Sequence, residues 1–372
     1  MNETNSLKKF LLVGAFPDNI TDDYALKDLK ELKSLVEAFG GKVVDLITQK
    51  REIHDKGMYI GKGKIDETAE VVVEKMIDII VFNDIVKPGE IFEIKKIIAK
   101  KHPTIKIWDR VDLILNIFSK NAKTAEAKLQ IELAFMRHMG PRVFGMGMIM
   151  SRQAGGIGTR GIGETNTELM KRHWRDQMKT VKERLIKLMD ERNKQLDRRR
   201  KIGLKTISII GYTNAGKTSL FNRLVRKKKL VENALFSTLD STVGKIYLEN
   251  LQKEVIISDT IGFIKNLPPK LIDAFKSTLS ESIHADILLH VIDASDEDMH
   301  KKIAIVEEII RDLGISETKK IYIFNKIDAK EAINKEGIQI LYDKFSPQFI
   351  SVKKDEGIQE LFEILNKKFK SI

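Results

Sequence analysis

The sequence predicts an α/β protein in three parts: an N-terminal α/β domain over 1–120, an antiparallel helical hairpin over 121–202, and a domain with a mostly parallel sheet over 203–372. In the first part, short apolar runs alternate with helical patterns, as in parallel sheets covered by helices. In the second, apolar residues recur in steps of four and three, which is typical of long packed helices. In the third, a glycine-containing loop, 211–219, stands between a β-branched run and a helical pattern.

The composition indicates a folded, non-secreted protein. Hydrophobic residues make up 42% of the 372 positions, enough for the cores of two or three domains, and no run is long enough to span a membrane. The N-terminus lacks the apolar segment of a signal peptide. Because there is no cysteine, disulfides and thiolate zinc sites are excluded. We expect a cytoplasmic monomer, with partial attachment to the membrane periphery as a second expectation.

The charge is strongly basic. Lysine and arginine number 65 against 53 acidic residues, for a net charge of +12. Such an excess favours a polyanionic partner such as nucleic acid, although lysine-rich surfaces also serve solubility alone. Composition by itself leaves both interpretations open.

The N-terminal part reads as alternating strands and helices. We predict strands over 10–14, 42–47, 77–82 and 104–108, with helices over 24–39, 65–76 and 91–101 between them. The pattern implies a parallel sheet with helices on its faces. A basic turn, 59–64, could hold a phosphate or could simply precede a helix, and we assign it no catalytic role.

The hairpin is predicted from helices over 124–138 and from 165 to about 201. Thr165 and Glu168 have the spacing of a capping box, which marks the start of the second helix. Its apolar seam consists of Met170, Trp174, Met178, Val181, Leu185 and Leu188. Basic residues on the outer faces are interleaved with acidic ones, so an RNA-binding face and a solvated face both remain possible.

Between these helices, the segment 140–164 is rich in glycine and is predicted to be a loop. Its G-x-G-x-x-G, 156–161, is no dinucleotide fingerprint because no strand precedes it. Arg142, Arg152 and Arg160 lie among glycines that allow close approach to a phosphate backbone, so we expect these three to bind RNA.

The loop 211–219 has the form G-x-x-x-x-G-K-T between a predicted strand, 205–210, and a predicted helix, 220–225. Its backbone N–H groups and the helix N-terminus would surround phosphates. Lys217 would reach the β- and γ-phosphates, and Thr218 would ligate Mg²⁺. The predicted phosphate-binding residues are Gly211, Tyr212, Thr213, Asn214, Ala215, Gly216, Lys217, Thr218 and Ser219.

Two further motifs follow predicted strands. Asp259 begins D-T-x-G, where the Asp would hold Mg²⁺ and Gly262 would donate its N–H to the γ-phosphate. Asn325 begins N-K-x-D, where Asp328 would accept from both N–H groups on the guanine edge and Lys326 would lie along the base. The predicted contacts are Asp259, Thr260, Ile261, Gly262, Asn325, Lys326 and Asp328. Together these motifs predict a P-loop GTPase (G) domain. The residues alone leave Thr238, Ser241 and Thr242 open as the switch hydroxyl.

Three separated motifs, 109–118, 128–133 and 155–164, together with the turn 59–64, resemble the HflX family of GTPases, a translation-factor-related class. The resemblance places the switch threonine at Thr238, beside Phe236 and Ser237, where it completes Mg²⁺ coordination. It places the last base-contacting loop at Ser351, Val352 and Lys353. The residues expected to act in catalysis are Lys217, Thr238 and Gly262.

The resemblance also implies an activity: hydrolysis of GTP to GDP, with the large ribosomal subunit and its rRNA as partner and ribosome dissociation or rescue as output. The alternative is an RNA-binding assembly or anti-association factor in which GTP only tunes affinity. Phe263 stands where many GTPases hold a water-orienting glutamine. Asn214 is either an ordinary turn residue or part of a K⁺ site, as in GTPases that combine these two features. The expected cofactors are Mg²⁺ and, under the second interpretation, K⁺.

Overall fold

The computed structural model describes residues 7–51, 58–154, 160–225, 242–265, 279–315, 319–330 and 333–370, without the side chains of 145–154, 160–167, 200, 280 and 319. Contacts divide the chain into two compact units. The first comprises 1–120 and 129–184, and the second comprises 121–128 and 185–372. No described helix is long and apolar enough to cross a membrane.

The first unit contains a four-stranded parallel sheet with the order β2-β1-β3-β4. Its strands are β1 (Lys9–Phe16), β2 (Lys42–Lys50), β3 (Ile79–Phe82) and β4 (Lys106–Asp109), and its connecting helices are α1 (Asp22–Phe39), α2 (Lys62–Glu74) and α3 (Pro88–Ile98). All four residues of β3 are buried, as expected of a strand covered on both faces. The predicted α/β architecture is confirmed.

A further helix, α4 (Arg110–Asn121), follows β4 directly and was not predicted. Eight of its twelve residues are buried, including the charged Arg110 and Asp112, so its charged residues do not mark a solvent-exposed face as they do on a surface helix. Its first residue, Arg110, is buried, with hydrogen bonds to Asn83 and Glu31.

The hairpin helices are longer than predicted. Helix α5 (Ala125–Ala154) continues through most of the glycine-rich segment, and α6 (Arg160–Lys201) begins before the proposed capping box. The loop prediction is therefore wrong for 140–154 and 160–164, whereas 155–159 lie outside the described residues.

Tertiary contacts account for the helix at Gly140 and Pro141. The Trp174 indole of α6 donates to the Met136 carbonyl at 3.1 Å, and its ring stacks edge-on against Phe144 at 6.1 Å. This packing outweighs the low helix propensity of glycine and proline. By contacts, 129–184 group with the N-terminal sheet and the rest of the hairpin groups with the second unit, while the division into 1–120, 121–202 and 203–372 stays a prediction.

The second unit contains a six-stranded sheet with the order β10-β9-β8-β5-β7-β6. Its strands are β5 (Thr206–Gly211), β6 (Thr242–Leu248), β7 (Lys253–Asp259), β8 (Ile287–Asp293), β9 (Lys319–Asn325) and β10 (Gln348–Phe349). Its helices are α7 (Lys217–Val225), α8 (Ser280–Ile283), α9 (Met299–Asp312), α10 (Lys335–Tyr342) and α11 (Ile358–Lys370). Only β6 runs antiparallel among these strands, which confirms the mostly parallel sheet.

The strand order places the functional motifs together. Strand β5 lies between β7 and β8, so the loops after β5, β7 and β9 leave the same edge of the sheet. In open parallel sheets, ligands bind outside the carboxyl ends of the strands, where the order of the strands reverses. The glycine loop, D-T-x-G and N-K-x-D all lie at that edge.

Candidate active site

The loop between β5 and α7 has the backbone of a phosphate cradle. Gly216 has φ = 96°, and a Cβ there would lie 2.2 Å from the Asn325 amide nitrogen, so only glycine fits. Asn214 also has a left-handed φ of 62° and is exposed at the tip of the loop. Asparagine tolerates this conformation, which suits a turn.

Lys217, the first residue of α7, is buried under the loop. Its Nζ donates to the Tyr212 carbonyl at 2.7 Å, across the base of the cradle. Burial lowers the pKa of Lys217 to about 8, partly opposed by attraction to Asp259. The bound phosphates of a nucleotide would restore the charge that burial disfavours.

Two oxygen ligands meet beside this lysine. The Thr218 hydroxyl donates to Asp259 Oδ2 at 2.8 Å, and Asp259 is fully buried at the end of β7. A hydroxyl and a carboxylate are the hard oxygen donors that Mg²⁺ prefers. The donor set therefore fits the ion that the sequence predicts.

The residues after Asp259 turn back toward the glycine loop. The Thr260 hydroxyl donates to the Ile209 carbonyl at 2.7 Å, and Ile261 is buried, so these two side chains hold the segment on the sheet. Gly262 approaches the loop so closely that a Cβ would lie 2.8 Å from the Thr213 methyl group. The Phe263 ring is 3% exposed and offers no hydrogen bond.

The N-K-x-D motif is tied to the glycine loop. The Asn325 side-chain amide donates to the Ala215 carbonyl at 2.9 Å and accepts from the Val352 N–H at 3.2 Å. Lys326 Nζ donates to Asp293 Oδ2 at 2.7 Å. Asp293 ends β8 and was not predicted from the sequence. An Asp at the end of an apolar strand is the pattern that could have indicated it.

Asp328 is held by the following loop. The Ser351 hydroxyl donates to Asp328 Oδ1 at 2.6 Å, and this hydrogen bond lowers the pKa of the carboxyl. Lys353 is exposed beside it. A second unpredicted contact, a bidentate pair between Arg223 of α7 and Asp355 at 2.5 and 2.7 Å, joins the phosphate helix to this loop.

The structure thus brings the described members of the predicted phosphate, metal and base sites to one sheet edge. Ser219 continues α7 from the cradle. Phe236, Ser237 and Thr238 lie outside the described residues, so their predicted roles stay predictions. The side chains of Arg152 and Arg160 likewise lie outside the description.

Arg142 differs from its prediction as an RNA ligand. Its guanidinium is buried and bridges Asp109 and Asp112 at 2.5 Å each. His138, one helical turn earlier on α5, lies 3.2 Å from both carboxylates. Burial disfavours the charged imidazole, but the two carboxylates outweigh it and raise the pKa of His138 to about 9. The Arg142 charge is paired with the two carboxylates inside the protein, so Arg142 presents no charge to a partner.

Comparisons with known proteins agree with this geometry. Family profiles match in three places: "GTP-binding GTPase N-terminal" over 26–119, "GTP-binding GTPase Middle Region" over 121–199, and "50S ribosome-binding GTPase" over 206–326. A crystal structure of a GTP-binding protein from Sulfolobus solfataricus in complex with GDP is 23% identical, with a TM-score of 0.52 over 98% of this chain and 99% of that one. That likeness shows the shared fold.

Curated relatives are closer. GTPase HflX of Caldanaerobacter subterraneus subsp. tengcongensis is 42% identical over 91% of this chain and 76% of its own length. GTPase HflX of Escherichia coli is 34% identical over 94% of this chain and 80% of its own length. The chain therefore belongs to the HflX family of GTPases and is a GTP hydrolase.

Proposed function

We propose that this chain couples GTP binding and hydrolysis to association with the large ribosomal subunit in the cytoplasm, and that the output is dissociation or rescue of ribosomes. The match of 206–326 to a family described as ribosome-binding supports the partner. The rival function is an assembly or anti-association factor in which GTP acts only as an affinity switch.

The observation that carries the proposal is the buried Phe263 ring. A phenyl group can neither orient the attacking water nor accept its proton, as the glutamine of many GTPases does at this position. The isolated protein should then hydrolyse GTP slowly, no faster than about 10⁻⁴ to 10⁻³ s⁻¹. A partner that completes the site would accelerate it.

Within the site, we propose that Lys217 contacts the β- and γ-phosphates, and that Gly262 donates its N–H to the γ-phosphate. Thr218 and Asp259, with Thr238 in the GTP state, would hold Mg²⁺, which neutralises the charge that develops on the phosphates. The rest of the loop 211–219 would surround the phosphates with backbone N–H groups.

Guanine would lie between the two loops that Asn325 joins. Asp328 would accept from N1–H and N2–H₂, and Lys326 would cover the base face. Ser351 fixes the carboxylate, and Val352 and Lys353 would close the pocket from the other side. Adenine presents no matching pair of donors, so it would leave the carboxylate desolvated and unpaired.

The RNA-binding surface is proposed on the hairpin. Exposed cationic side chains on α6 are Arg172, Arg175, Lys179, Lys182, Arg184, Lys187, Lys194, Arg198 and Lys201. Arg152 and Arg160 are proposed as further RNA contacts, whereas Arg142 is excluded because its guanidinium is buried. Affinity should fall steeply with salt, because neutralised phosphates release counterions.

K⁺ remains a proposal attached to Asn214. Its exposed, left-handed position at the loop tip suits both a turn and a cation ligand. Hydrolysis measured in K⁺ and in Na⁺ separates the two, since equal rates would leave Asn214 a turn residue.

The function is tested with purified ribosomal subunits. Hydrolysis should rise strongly with large subunits and not with small ones. Sucrose gradients of intact ribosomes with GTP or with a non-hydrolysable analogue then distinguish the alternatives, because an affinity switch would release the subunits equally well with both. Absence of stimulation by large subunits would refute the proposal.

A further inference from the structure

The loop that follows β7 is fastened to the glycine loop by three hydrogen bonds. Two are between main chains: the Thr213 N–H donates to the Phe263 carbonyl at 2.7 Å, and the Phe263 N–H donates to the Gly211 carbonyl at 3.1 Å. The third uses a side chain, since the Lys265 N–H donates to the Tyr212 phenol oxygen at 2.8 Å. We call residues 262–265 the fastened segment.

Tyr212 is held rigidly in this role. Its side chain is buried, and the Lys302 ammonium lies over its ring at 5.0 Å while pairing with Asp296. Burial of the ring and this cation–π contact limit its motion and therefore the direction of the phenol oxygen. The main-chain carbonyl of Tyr212 also accepts the Lys217 hydrogen bond. One residue thus contacts both the phosphate lysine and the fastened segment.

The fastened segment leaves little space beside the lysine. A Cβ on Gly262 would lie 2.9 Å from Lys217 Nζ and 3.0 Å from the Thr213 Cα. On the proposed placement, the γ-phosphate accepts from both Lys217 and the Gly262 N–H, so its oxygens need room beside Gly262 that the segment does not leave even for one added carbon. GTP would then move the segment away from the glycine loop, whereas GDP has no γ-phosphate and need not.

We propose that Tyr212 is a positioning residue that fastens 262–265 to the glycine loop and so favours GDP over GTP in the isolated protein. The inference rests on the proposed placement of the γ-phosphate between Lys217 and Gly262. Opening for GTP breaks the phenol hydrogen bond and loosens the two main-chain bonds beside it. This adds a cost to GTP that GDP does not bear.

The test is the ratio of two affinities. Dissociation constants for GDP and for a non-hydrolysable GTP analogue are measured on the wild type and on Tyr212→Phe, which keeps the ring and removes only the phenol oxygen. Losing one hydrogen bond should raise the affinity for the analogue relative to the affinity for GDP by about 2- to 10-fold. The matched control is Tyr322→Phe, which removes a buried phenol that donates to Glu307 at 2.8 Å, away from the glycine loop. It should leave the ratio unchanged.

A purely structural role for the phenol would move both affinities together, and that result, or an unchanged ratio in Tyr212→Phe, overturns the inference. Equal ratio shifts in the control variant would overturn it as well. The measurement needs no ribosomes, so it can succeed when subunits fail to stimulate hydrolysis. Failure of the proposed function and failure of this inference are therefore separate outcomes.

Discussion

Replacement of Arg142 by alanine should destabilise the N-terminal unit severely. Asp109 and Asp112 are 0% and 4% exposed in their side chains, and the guanidinium reaches one oxygen of each at 2.5 Å. With His138 charged, the cluster is neutral: two negative groups balance two positive ones. Removing Arg142 leaves one uncompensated buried charge. Breaking a buried ion pair in this way costs about 3–5 kcal/mol, a large part of the stability of a typical domain.

The assay is denaturant unfolding followed by tryptophan fluorescence. Both tryptophans of the chain, Trp108 and Trp174, lie in the unit that contains the cluster, so the signal reports that unit. The control is Arg175→Ala, which removes an exposed arginine from α6 and should change the unfolding free energy by less than about 0.5 kcal/mol. Arg142→Lys should fall between the two, because lysine keeps the charge but loses the bidentate fork.

A loss below about 1 kcal/mol in Arg142→Ala would contradict the buried cluster and return Arg142 to the set of candidate RNA contacts. The structural role of Arg142 also affects the design of ribosome-binding experiments. Because Arg142 is structural here, a variant that includes it confounds stability with RNA affinity. The RNA contacts are tested cleanly by replacing only Arg152 and Arg160, which should reduce subunit binding at moderate salt.

Three further predictions follow from the charges of the site and of the cluster. Asp328→Asn should lower the affinity for GTP about 100-fold and raise the affinity for XTP, because the amide donates a hydrogen bond where the carboxylate accepts one. An unchanged GTP affinity would show that the base does not bind at Asp328. Burial lowers the pKa of Lys217 to about 8 from 10.5, so between these two pH values unfolding takes up a proton. The nucleotide-free protein should therefore become more stable as pH rises from about 8 to 10.5. Calorimetry of Lys217→Met should show no such gain. The carboxylates raise the pKa of His138 to about 9 from 6.5, so its contribution is complete below pH 6.5 and lost as pH rises through 9. Tryptophan-detected unfolding of His138→Gln should lack this decline.

Sequence reasoning found the nucleotide motifs because each is short and local. A glycine loop between a strand and a helix, an Asp at a strand end and N-K-x-D each carry their chemistry within a few residues. It missed Asp293, which lies 33 positions from Lys326 and meets it only through the pairing of β8 with β9. It also missed the contact between Arg223 and Asp355, since their separation of 132 residues leaves no local pattern.

The errors in the hairpin have a common cause. Glycine and proline argue against a helix over 140–154 when each residue is judged by its own propensity. The helix forms because Trp174, from the other arm, contacts Met136, Gly140 and Phe144. Arg142 was assigned to RNA by the same local logic, and its partners in β4 and α4 lie about 30 residues away.

The sequence by itself determined the α/β class, the GTP-binding motifs and the likeness to the HflX family, because periodicity and spacing are written along the chain. Tertiary structure alone decided which charged side chains are exposed to a partner and which are buried or paired within the protein. Arg142 is neutralised by carboxylates, Lys217 is buried under its own loop, and the Tyr212 phenol oxygen accepts from the Lys265 N–H, 53 residues downstream. The physical reason is that burial and charge pairing depend on groups brought together through space. The free energy of a buried charge is set by those neighbours and not by its position in the chain.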